Sequence, residues 1–545
     1  MANTPCDHPV LGNRSLSAVG LALALLLASA LPGCQTEPAD QVPLTQLYTP
    51  SFGPPPPREP ALVSLRKLYE RLPELEAISA RPALLPNQSG VLWLSLVITL
   101  VVAFDFANLW SPRNLDLLLM QAVGWCFFDI LIFLERLNDP TSYNLMDWVF
   151  GVIVGLTVTL LVRALRRVSR PAPIPWQPGL ARRALAAVAI TLVALDVGMA
   201  LYAPPDDAGY FINIGAQRLR ERGRWPYGDP LLTGTPAAAY GPVLYAAHVP
   251  FQLLLAPEPI NATSPARPGS ETGTAYYLPP LLATKLCTIA FHLVGVAALY
   301  VAARRLAGVS AAWALVALYS GSAFVLGAGG ADYSIGGITF ASHIGPAAVT
   351  LLAFALLPSP AWSGAALATS VGVLFYPVFF VPAWLGFYSR SRRQLGRFVV
   401  GFAVAAMVIG GSVLLRSEAA GGRSLIGTIV FDTIGHQESP AAYGSSPFGF
   451  WGQRGGVRGW LMAPLVGGQS LTRPAVLGFL AFAATTFFLS RGRSTAQLAL
   501  VIAAVAMGAQ LWKIHATATY VTWYYPFLLI GFLCGKPEPA ETPHA

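Results

Sequence analysis

The chain has 545 residues, of which 54% are hydrophobic and only 11% are charged, and its mean hydropathy is +0.55. Soluble proteins carry about 25% charged residues, so this composition excludes an ordinary soluble protein. The net charge of +9 does not require a nucleic-acid partner, because Lys and Arg accumulate in cytoplasmic loops and near anionic headgroups. We therefore expect an all-α polytopic membrane protein that binds no nucleic acid.

The N-terminal region is typical of a targeting segment. Residues 1–34 contain the apolar run "LSAVGLALALLLASALPGC", preceded by Arg14, which predicts a signal or an anchor. The "LPGC" around Cys34 resembles a bacterial lipoprotein box, although Pro32 is unusual there. Lipidation of Cys34 and a simple anchor both remain open. Residues 35–90 are hydrophilic and Pro-rich, and "FGPPPPREP" favours an extended polyproline II conformation.

About a dozen apolar stretches follow, and several reach the roughly 20 residues that span a bilayer. The candidate spans are 91–110, 115–135, 146–165, 184–203, 278–301, 309–328, 343–358, 361–389, 396–415, 475–490, 496–513 and 520–534. The stretch 361–389 is too long for one span, and Pro377 and Pro382 interrupt it, so we predict two short helices. We divide this part into extra membrane helices (91–183), a core domain (184–535) and a short tail (536–545).

Basic loops predict the orientation of these helices. The segments "RALRRVSR", "SRSRRQLGR" and "SRGR" and two "ARR" triplets fall on one side, which should be cytoplasmic. Residues 204–275 and 416–474 then lie on the outer side. Four arginines strain the rule there, and an interfacial position with phosphate binding would explain them: Arg218, Arg220, Arg222 and Arg224.

The stretch "PPDDAGYFINIGAQRLRERGRWPYGDP" directly follows the span 184–203. Its two adjacent acids, Asp206 and Asp207, therefore lie where a membrane helix ends. The next residues divide into two helical faces. The apolar face consists of Phe211, Ile212, Gly215, Ala216 and Leu219, and the polar face consists of Asn213, Gln217, Arg220 and Arg224. This pattern predicts an amphipathic helix in the headgroup plane, which Gly223 ends.

These residues resemble the first outer loop of GT-C glycosyltransferases, in which an acid precedes an interfacial helix and a "G-x-x-PY" segment. Asp207 and Tyr210 satisfy the acid-spacer-Tyr pattern of that family, Tyr227 ends the "G-x-x-PY" segment, and Tyr240 begins a "YGP" turn. The aromatic "KIHATATYVTWYYPFLL" near the C-terminus resembles the last helices of polyprenyl-phosphate-mannose-dependent mannosyltransferases, glycosyltransferase family 87. The likeness covers residues 184–535.

The resemblance implies a GT-C-like helical bundle and an inverting transferase, and the lipoprotein-like box indicates a bacterial inner membrane. Its donor would be a polyprenyl-phosphate sugar, with mannose or another hexose or pentose, and its acceptor a lipid, a glycan or a protein. The reaction would take place on the periplasmic face. A carboxylate is needed as the general base that removes the acceptor hydroxyl proton. Asp206 and Asp207 are the candidates, and which of them is the base stays open.

A leaving phosphate requires cations, and the sequence offers several near the outer side. Arg218 and Arg220 could contact the donor phosphate or anionic lipid headgroups. Lys285, near the start of the span 278–301, could do the same or extend its ammonium to the interface. Asp206 and Asp207 could also bind a divalent cation, but two acids alone are a weak signature. No metal-ligand or cofactor motif is present, so we expect neither metal nor cofactor.

The remaining candidate binding residues also lie on the predicted outer side. They are His343, His436, Trp451, Lys513 and His515. A histidine at a helix end is usually structural, and Trp451 could belong to an interfacial aromatic belt or stack on an acceptor sugar.

Acids within the spans are functional candidates by default. For Asp196 we predict a partner inside the bundle, whereas we expect His292 to serve in packing. The rival function is a transporter or flippase for a lipid-linked or sugar substrate. No internal repeat or matched pair of broken helices supports it.

Overall fold

The computed structural model describes residues 88–131, 140–169, 176–203, 207–230, 232–233, 236–255, 258–259, 277–278, 281–329, 334–335, 337–435, 472–512 and 520–534. Helices form nearly all of the regular structure in these ranges. Extended structure there consists of two antiparallel pairs of two-residue strands, Glu258–Pro259 with Tyr277–Leu278 and Ala328–Gly329 with Ser334–Ile335. The expected all-α fold is therefore confirmed.

Three of the described helices precede the predicted core domain. They are α1 (Gln88–Ala103), α2 (Pro112–Gly124), which a π-helical turn (Trp125–Leu131) continues, and α3 (Pro140–Val168). Asp116 of α2 is buried and accepts hydrogen bonds from Arg163 and Arg167 of α3, so a carboxylate shared between two guanidinium groups joins these helices. Breaking such a buried cluster costs several kcal/mol because it leaves charges without partners.

The remaining helices that the structure describes belong to the core domain. They are α4 (Arg182–Tyr202), α5 (Asp207–Arg222), α6 (Pro242–Leu254), α7 (Leu281–Ala307), α8 (Val309–Ser320), α9 (Ala323–Leu326), α10 (Ala341–Ala355), α11 (Pro360–Val373), α12 (Val381–Tyr388), α13 (Arg392–Arg416), α14 (Leu425–Val430), α15 (Thr472–Ser490), α16 (Thr495–Leu511) and α17 (Tyr525–Leu533). A π-helical turn, Phe431–Gly435, continues α14. The interruption expected near Pro377 is a 3₁₀ turn, Tyr376–Phe380, between α11 and α12.

Four of the described helices are long and apolar enough to cross a membrane. They are Trp148–Val168, Arg182–Tyr202, Leu281–Ala307 and Arg392–Arg416. Shorter apolar helices of 10–17 residues also occur, among them Gly90–Ala103, Ala341–Ala355 and Thr495–Leu511. The chain is thus a helical membrane protein, and the expected total of about a dozen spans stays a prediction.

The helices pack through small residues at their closest crossings. A Cβ atom added at Gly364 of α11 would overlap the Phe398 carbonyl group, and one at Gly401 of α13 would overlap the Ala361 carbonyl group. Glycine at both positions lets these two backbones touch. Such close approach favours helix association in lipid, where apolar burial gives little preference for protein over acyl chains.

Arginines gather at one end of the bundle, which we call the arginine-rich end. It holds the end of α3, the start of α4, the α7–α8, α10–α11 and α12–α13 connections, and the start of α16. Hydrogen bonds join these parts: Arg305 donates to the Ala355 carbonyl and Gln497 to the Val168 carbonyl. At the opposite, acid-bearing end, α4 ends and α5, α7 and α10 begin.

Helix α5 forms where the amphipathic pattern predicted it, but its polar face is not open. Asn213 is buried, and both its carbonyl oxygen and its Oδ1 accept hydrogen bonds from Gln252 of α6, at 2.7 and 2.6 Å. On the other face, a Cβ at Gly215 would overlap the ring of Tyr245. The helix is therefore enclosed by protein on both faces, because α6 folds back over the side chains that the pattern assigned to the headgroup layer.

Candidate functional site

The predicted acids belong to the junction between α4 and α5. Asp207 is the first residue of α5, which starts five residues after the end of α4 at Tyr202. Asp206 and the side chains of Asp207 and Tyr210 lie outside the described part of the structure. A helix N-terminus favours negative charge, because its free N–H groups and its dipole are oriented toward the anion. The position of Asp207 is thus suited to an ionised carboxylate.

The first turn of α7 binds both sides of this junction. The Lys285 Nζ donates to the Leu201 carbonyl oxygen at 2.8 Å, and the Thr284 Oγ1 lies 3.2 Å from the Gly209 carbonyl oxygen. Lys285 therefore caps the C-terminus of α4, where a cation also interacts favourably with the helix dipole. The sequence had suggested only a phosphate contact or an interfacial position for this lysine. The structure shows in addition that Lys285 caps α4, and this contact keeps its ammonium beside the junction between α4 and α5.

A buried histidine supports that turn from the other side. His248 of α6 donates through Nδ1 to the Leu244 carbonyl oxygen at 2.8 Å, and its Nε2 lies 2.9 Å from the Thr284 Oγ1. Since Nδ1 carries the proton, Nε2 is the acceptor in the neutral ring. Burial lowers the pKa of His248 from 6.5 to about 4, so the ring is neutral near pH 7.

His343 belongs to α10, the third helix that begins at the acid-bearing end. It is half-buried in the first turn of α10, which contacts α5. Its ring lies 4.8 Å from the ring of Phe340 and 4.3 Å from that of Tyr520, measured between centroids. Tyr520 is held through its backbone, because the Gln510 side chain bonds both its N–H and its carbonyl group at 2.9 and 2.8 Å. His343 thus lies in an aromatic cluster that is fixed to α16.

The predicted arginines lie elsewhere on α5. At about 1.5 Å per residue, Arg218 is roughly 16 Å and Arg220 about 20 Å along the helix from Asp207. The Arg218 Nε is 3.8 Å from the Asp229 Oδ2, and the Arg220 Nη1 donates to the Gln252 carbonyl oxygen at 3.1 Å. Burial lowers the pKa of Arg218, and Asp229 partly opposes that effect. The structure does not bring these arginines to Lys285, and their contact with a phosphate stays a prediction.

Tyr227 and Tyr240 hold the segment between α5 and α6. The Tyr227 hydroxyl donates to the Tyr240 carbonyl oxygen at 2.6 Å. The Tyr245 hydroxyl accepts from the Tyr240 N–H at 3.0 Å and donates to the Ala237 carbonyl oxygen at 2.8 Å. Burial raises the pKa of Tyr227 well above 10.0. Through these contacts both tyrosines stabilise the segment between α5 and α6. Their role in substrate binding stays a prediction.

Asp432 is a buried acid that the sequence analysis overlooked. It lies in the π-helical turn after α14, and its Oδ2 accepts from the Gly228 N–H at 2.8 Å while its Oδ1 accepts from the Thr233 hydroxyl at 2.6 Å. The carboxylate therefore binds the segment after α5 to the segment after α13. A lone acid within the apolar run "LIGTIVFDTIG" is the signal that could have identified it.

A second buried acid lies in the bundle beneath the junction. The Asp196 Oδ2 of α4 is 3.1 Å from the His292 Nε2 of α7, and both side chains are completely buried. The Tyr319 ring stacks on His292 with 6.1 Å between centroids. The predicted partner for Asp196 is therefore confirmed, and that partner is His292, for which we had expected only a packing role.

Four of the predicted binding residues lie outside the described part of the structure: His436, Trp451, Lys513 and His515. Among the described residues, no group of three or more His, Cys, Asp or Glu side chains is close enough to hold a metal ion.

Comparisons with protein-family models, with curated proteins and with solved structures gave no match for this chain. The assignment of a function consequently depends on the residues and their geometry.

Proposed function

We propose that the protein is an inverting membrane glycosyltransferase that uses a polyprenyl-phosphate sugar donor. The observation that supports this most is the acid-bearing junction. Asp207 begins α5 directly after a membrane-spanning helix, and the first turn of α7, with Lys285 and Thr284, binds both sides of the junction. Lys285 is thereby held beside the junction at which α5 begins with Asp207, at one end of the bundle. The reaction needs these two charges at the membrane surface.

The acid supplies the base of the reaction. Either Asp206 or Asp207 accepts the proton of an acceptor hydroxyl while its oxygen attacks the anomeric carbon of the donor sugar. The bond between that carbon and the phosphate oxygen breaks, and the electron pair leaves with the polyprenyl phosphate. Attack from the face opposite the leaving group inverts the anomeric configuration. The hydroxyl proton of the lipid, glycan or protein acceptor stays on the acid at the end of this step.

The leaving phosphate is stabilised by positive charge at the same end. Lys285 supplies a full charge, and the N-termini of α7 and α10 supply partial positive charge from their helix dipoles. Since Lys285 already caps α4, substrate binding would add a phosphate oxygen to an ammonium that has three donors. Arg218 and Arg220 remain candidates for a more distant part of the donor.

The orientation follows from the arginine-rich end. Lys and Arg mark the cytoplasmic side of bacterial membrane proteins, and that end carries Arg166 and Arg167 of α3 and Arg304 and Arg305 of α7. The acid-bearing end then faces the periplasm, on the opposite side of the inner membrane. Polyprenyl-phosphate sugars presented on that face can reach the junction from the lipid, whereas nucleotide-sugars stay in the cytoplasm.

One observation favours a second candidate, a transporter or flippase of a lipid-linked or sugar substrate. Asp196 and His292 form a completely buried ionisable pair between two membrane-spanning helices. Such pairs are expensive in a bilayer and often belong to proton relays of transporters. The pair is equally suited to holding α4 against α7, two turns below the contact between Lys285 and Leu201.

Purified protein in proteoliposomes distinguishes the two functions. Vesicles are supplied with a polyprenyl-phosphate donor carrying radiolabelled mannose, then with pentose and other hexose donors, and with an acceptor lipid or glycan extract. Formation of a labelled glycosidic product with release of polyprenyl phosphate is the expected result. Counterflow of labelled substrate across the vesicle membrane without any new glycosidic bond would contradict the transferase and support transport.

A further inference from the structure

The segment from Leu425 to Gly435, formed by α14 and the π-helical turn, has its polarity reversed relative to a helix on a soluble protein. Its large exposed side chains include Ile426 (64% exposed), Val430 (48%) and Ile434 (51%). Its buried side chains are polar: Thr428, Asp432 and Thr433. An apolar outer face and a polar inner face are expected where the surroundings are less polar than the protein contact.

The buried polar side chains are satisfied by the protein. Asp432 accepts from the Gly228 N–H and the Thr233 hydroxyl, as described above. The Thr428 Oγ1 accepts from the Ala420 N–H at 3.0 Å, and the Thr433 hydroxyl donates within its own helix. Because these groups have partners, they do not require water. The exposed face is then left with apolar groups alone.

The helix that precedes this segment in the chain also exposes apolar side chains and is long enough to span a membrane. The preceding helix α13 is the least buried of the four long apolar helices, and its exposed side chains include Met407 and Leu415. Arg416 ends that helix, and the guanidinium of Arg423 lies 3.7 Å from the centre of the Phe431 ring. Arginines at such a boundary keep their charge at headgroup level while their stems cover apolar surface.

We propose that the segment 425–435 is embedded in the bilayer leaflet at the acid-bearing end, with Ile426, Val430 and Ile434 among the acyl chains. Eleven helical residues extend about 16 Å, which is too short for a hydrocarbon core of about 30 Å. The segment therefore lies along the interface and does not cross it. Its inner face binds the Gly228–Thr233 turn, so the lipid-embedded helix also anchors the segment that follows α5. The proposal does not depend on the proposed function.

Spin labels measure the environment of each side chain directly. Single cysteines at Ile426, Val430 and Ile434 are introduced into a chain whose five native cysteines have been replaced, and each is labelled with a nitroxide. Met407, exposed in the middle of α13, serves as the lipid control, and Glu418, in the polar turn after α13, serves as the water control. The protein is reconstituted into vesicles of phosphatidylethanolamine and phosphatidylglycerol.

At all three positions, the ratio of oxygen accessibility to nickel-complex accessibility should lie near the value measured at Met407 and away from the value measured at Glu418. Quenching by lipids brominated along the acyl chain should reach a bimane label at Val430 and not one at Glu418. Ratios equal to that at Glu418 would show that the face is solvated and would overturn the proposal. Protection from both reagents would overturn it as well, because residues 436–471 or a second copy would then cover the face.

Discussion

The Asp432 carboxylate should be the main link between the segment after α5 and the segment after α13. It binds the Gly228 N–H at 2.8 Å and the Thr233 hydroxyl at 2.6 Å, and it is completely buried. In Asp432→Asn the amide can turn its oxygen toward the Gly228 N–H and donate its NH₂ to the Thr233 hydroxyl, which accepts as readily as it donates. Both hydrogen bonds survive, but neither is charge-assisted. In Asp432→Ala the buried Gly228 N–H loses its acceptor.

The magnitudes follow from this difference. Hydrogen bonds to a charged group contribute about 1.5–3 kcal/mol each and neutral ones about 1 kcal/mol, so weakening both bonds in Asp432→Asn should cost about 1–4 kcal/mol. Asp432→Ala removes both bonds and leaves a buried donor without a partner, which should cost about 3–5 kcal/mol. Glu418→Gln is the control, because its contact with Arg224 is at the surface and exposed pairs contribute less than about 1 kcal/mol.

Equilibrium unfolding in mixed micelles of dodecyl sulfate and a mild detergent gives the free energies of unfolding by linear extrapolation. The order of stability should be wild type, then Glu418→Gln close to it, then Asp432→Asn, then Asp432→Ala. A Thr233→Val change combined with Asp432→Ala should cost less than the sum of the two, since both remove the same bond. If Asp432→Ala were as stable as Glu418→Gln, the carboxylate would not join the two segments and the reasoning would be refuted.

Three further predictions concern other parts of the molecule. The free energy of unfolding should fall by on the order of 3 kcal/mol as the pH falls from 6.5 to about 4, because His248 binds a proton more tightly in the unfolded chain than in the folded protein. His248→Gln should flatten this pH dependence in unfolding measurements. An unchanged pH dependence would assign the effect to other groups. Asp196→Ala or His292→Ala alone should lower the free energy of unfolding by about 3–5 kcal/mol, because each leaves a buried polar partner unpaired. The double variant Asp196→Leu with His292→Phe should recover most of that loss. A double variant that is no more stable than either single variant would contradict coupling between the two side chains. A cysteine at Arg224, whose side chain is 61% exposed at the acid-bearing end, should react with an impermeant maleimide from the periplasmic side and one at Ser391 should not, and the reverse pattern would place the acids in the cytoplasm.

Much of the architecture was predictable from the sequence because apolar runs and their interruptions determine helices in a bilayer. The start of α5 at the acid pair and the break near Pro377 both appear where the residues indicated them. Local signals of this kind depend on a few neighbouring residues. The enclosure of α5 was not predictable, because Asn213 meets Gln252 only after the chain has turned back through 39 residues.

The same distinction applies to the candidate site. The position of the acids at a helix end followed from hydropathy alone, and the pairing of Asp196 followed from the cost of an unpaired acid in the membrane. The identity of its partner His292, the capping of α4 by Lys285 and the link through Asp432 all join residues far apart in the sequence. Such pairs depend on helix packing, which a single sequence does not specify.

The central claim is that an acid at the start of α5 is the base of a sugar transfer from a polyprenyl-phosphate donor. The most direct measurement compares transfer by the wild type, Asp206→Asn, Asp207→Asn and the double variant in proteoliposomes at saturating donor, with donor binding measured on the same samples. Asp105→Asn is the matched control, since Asp105 lies in the α1–α2 connection and contacts Arg113.

Asparagine preserves shape but cannot accept the proton, so the variant of the true base should lose about 10²–10⁴ in rate while it still binds donor. The other single variant should lose little, and Asp105→Asn should transfer at the wild-type rate. Full turnover by the double variant would contradict the account.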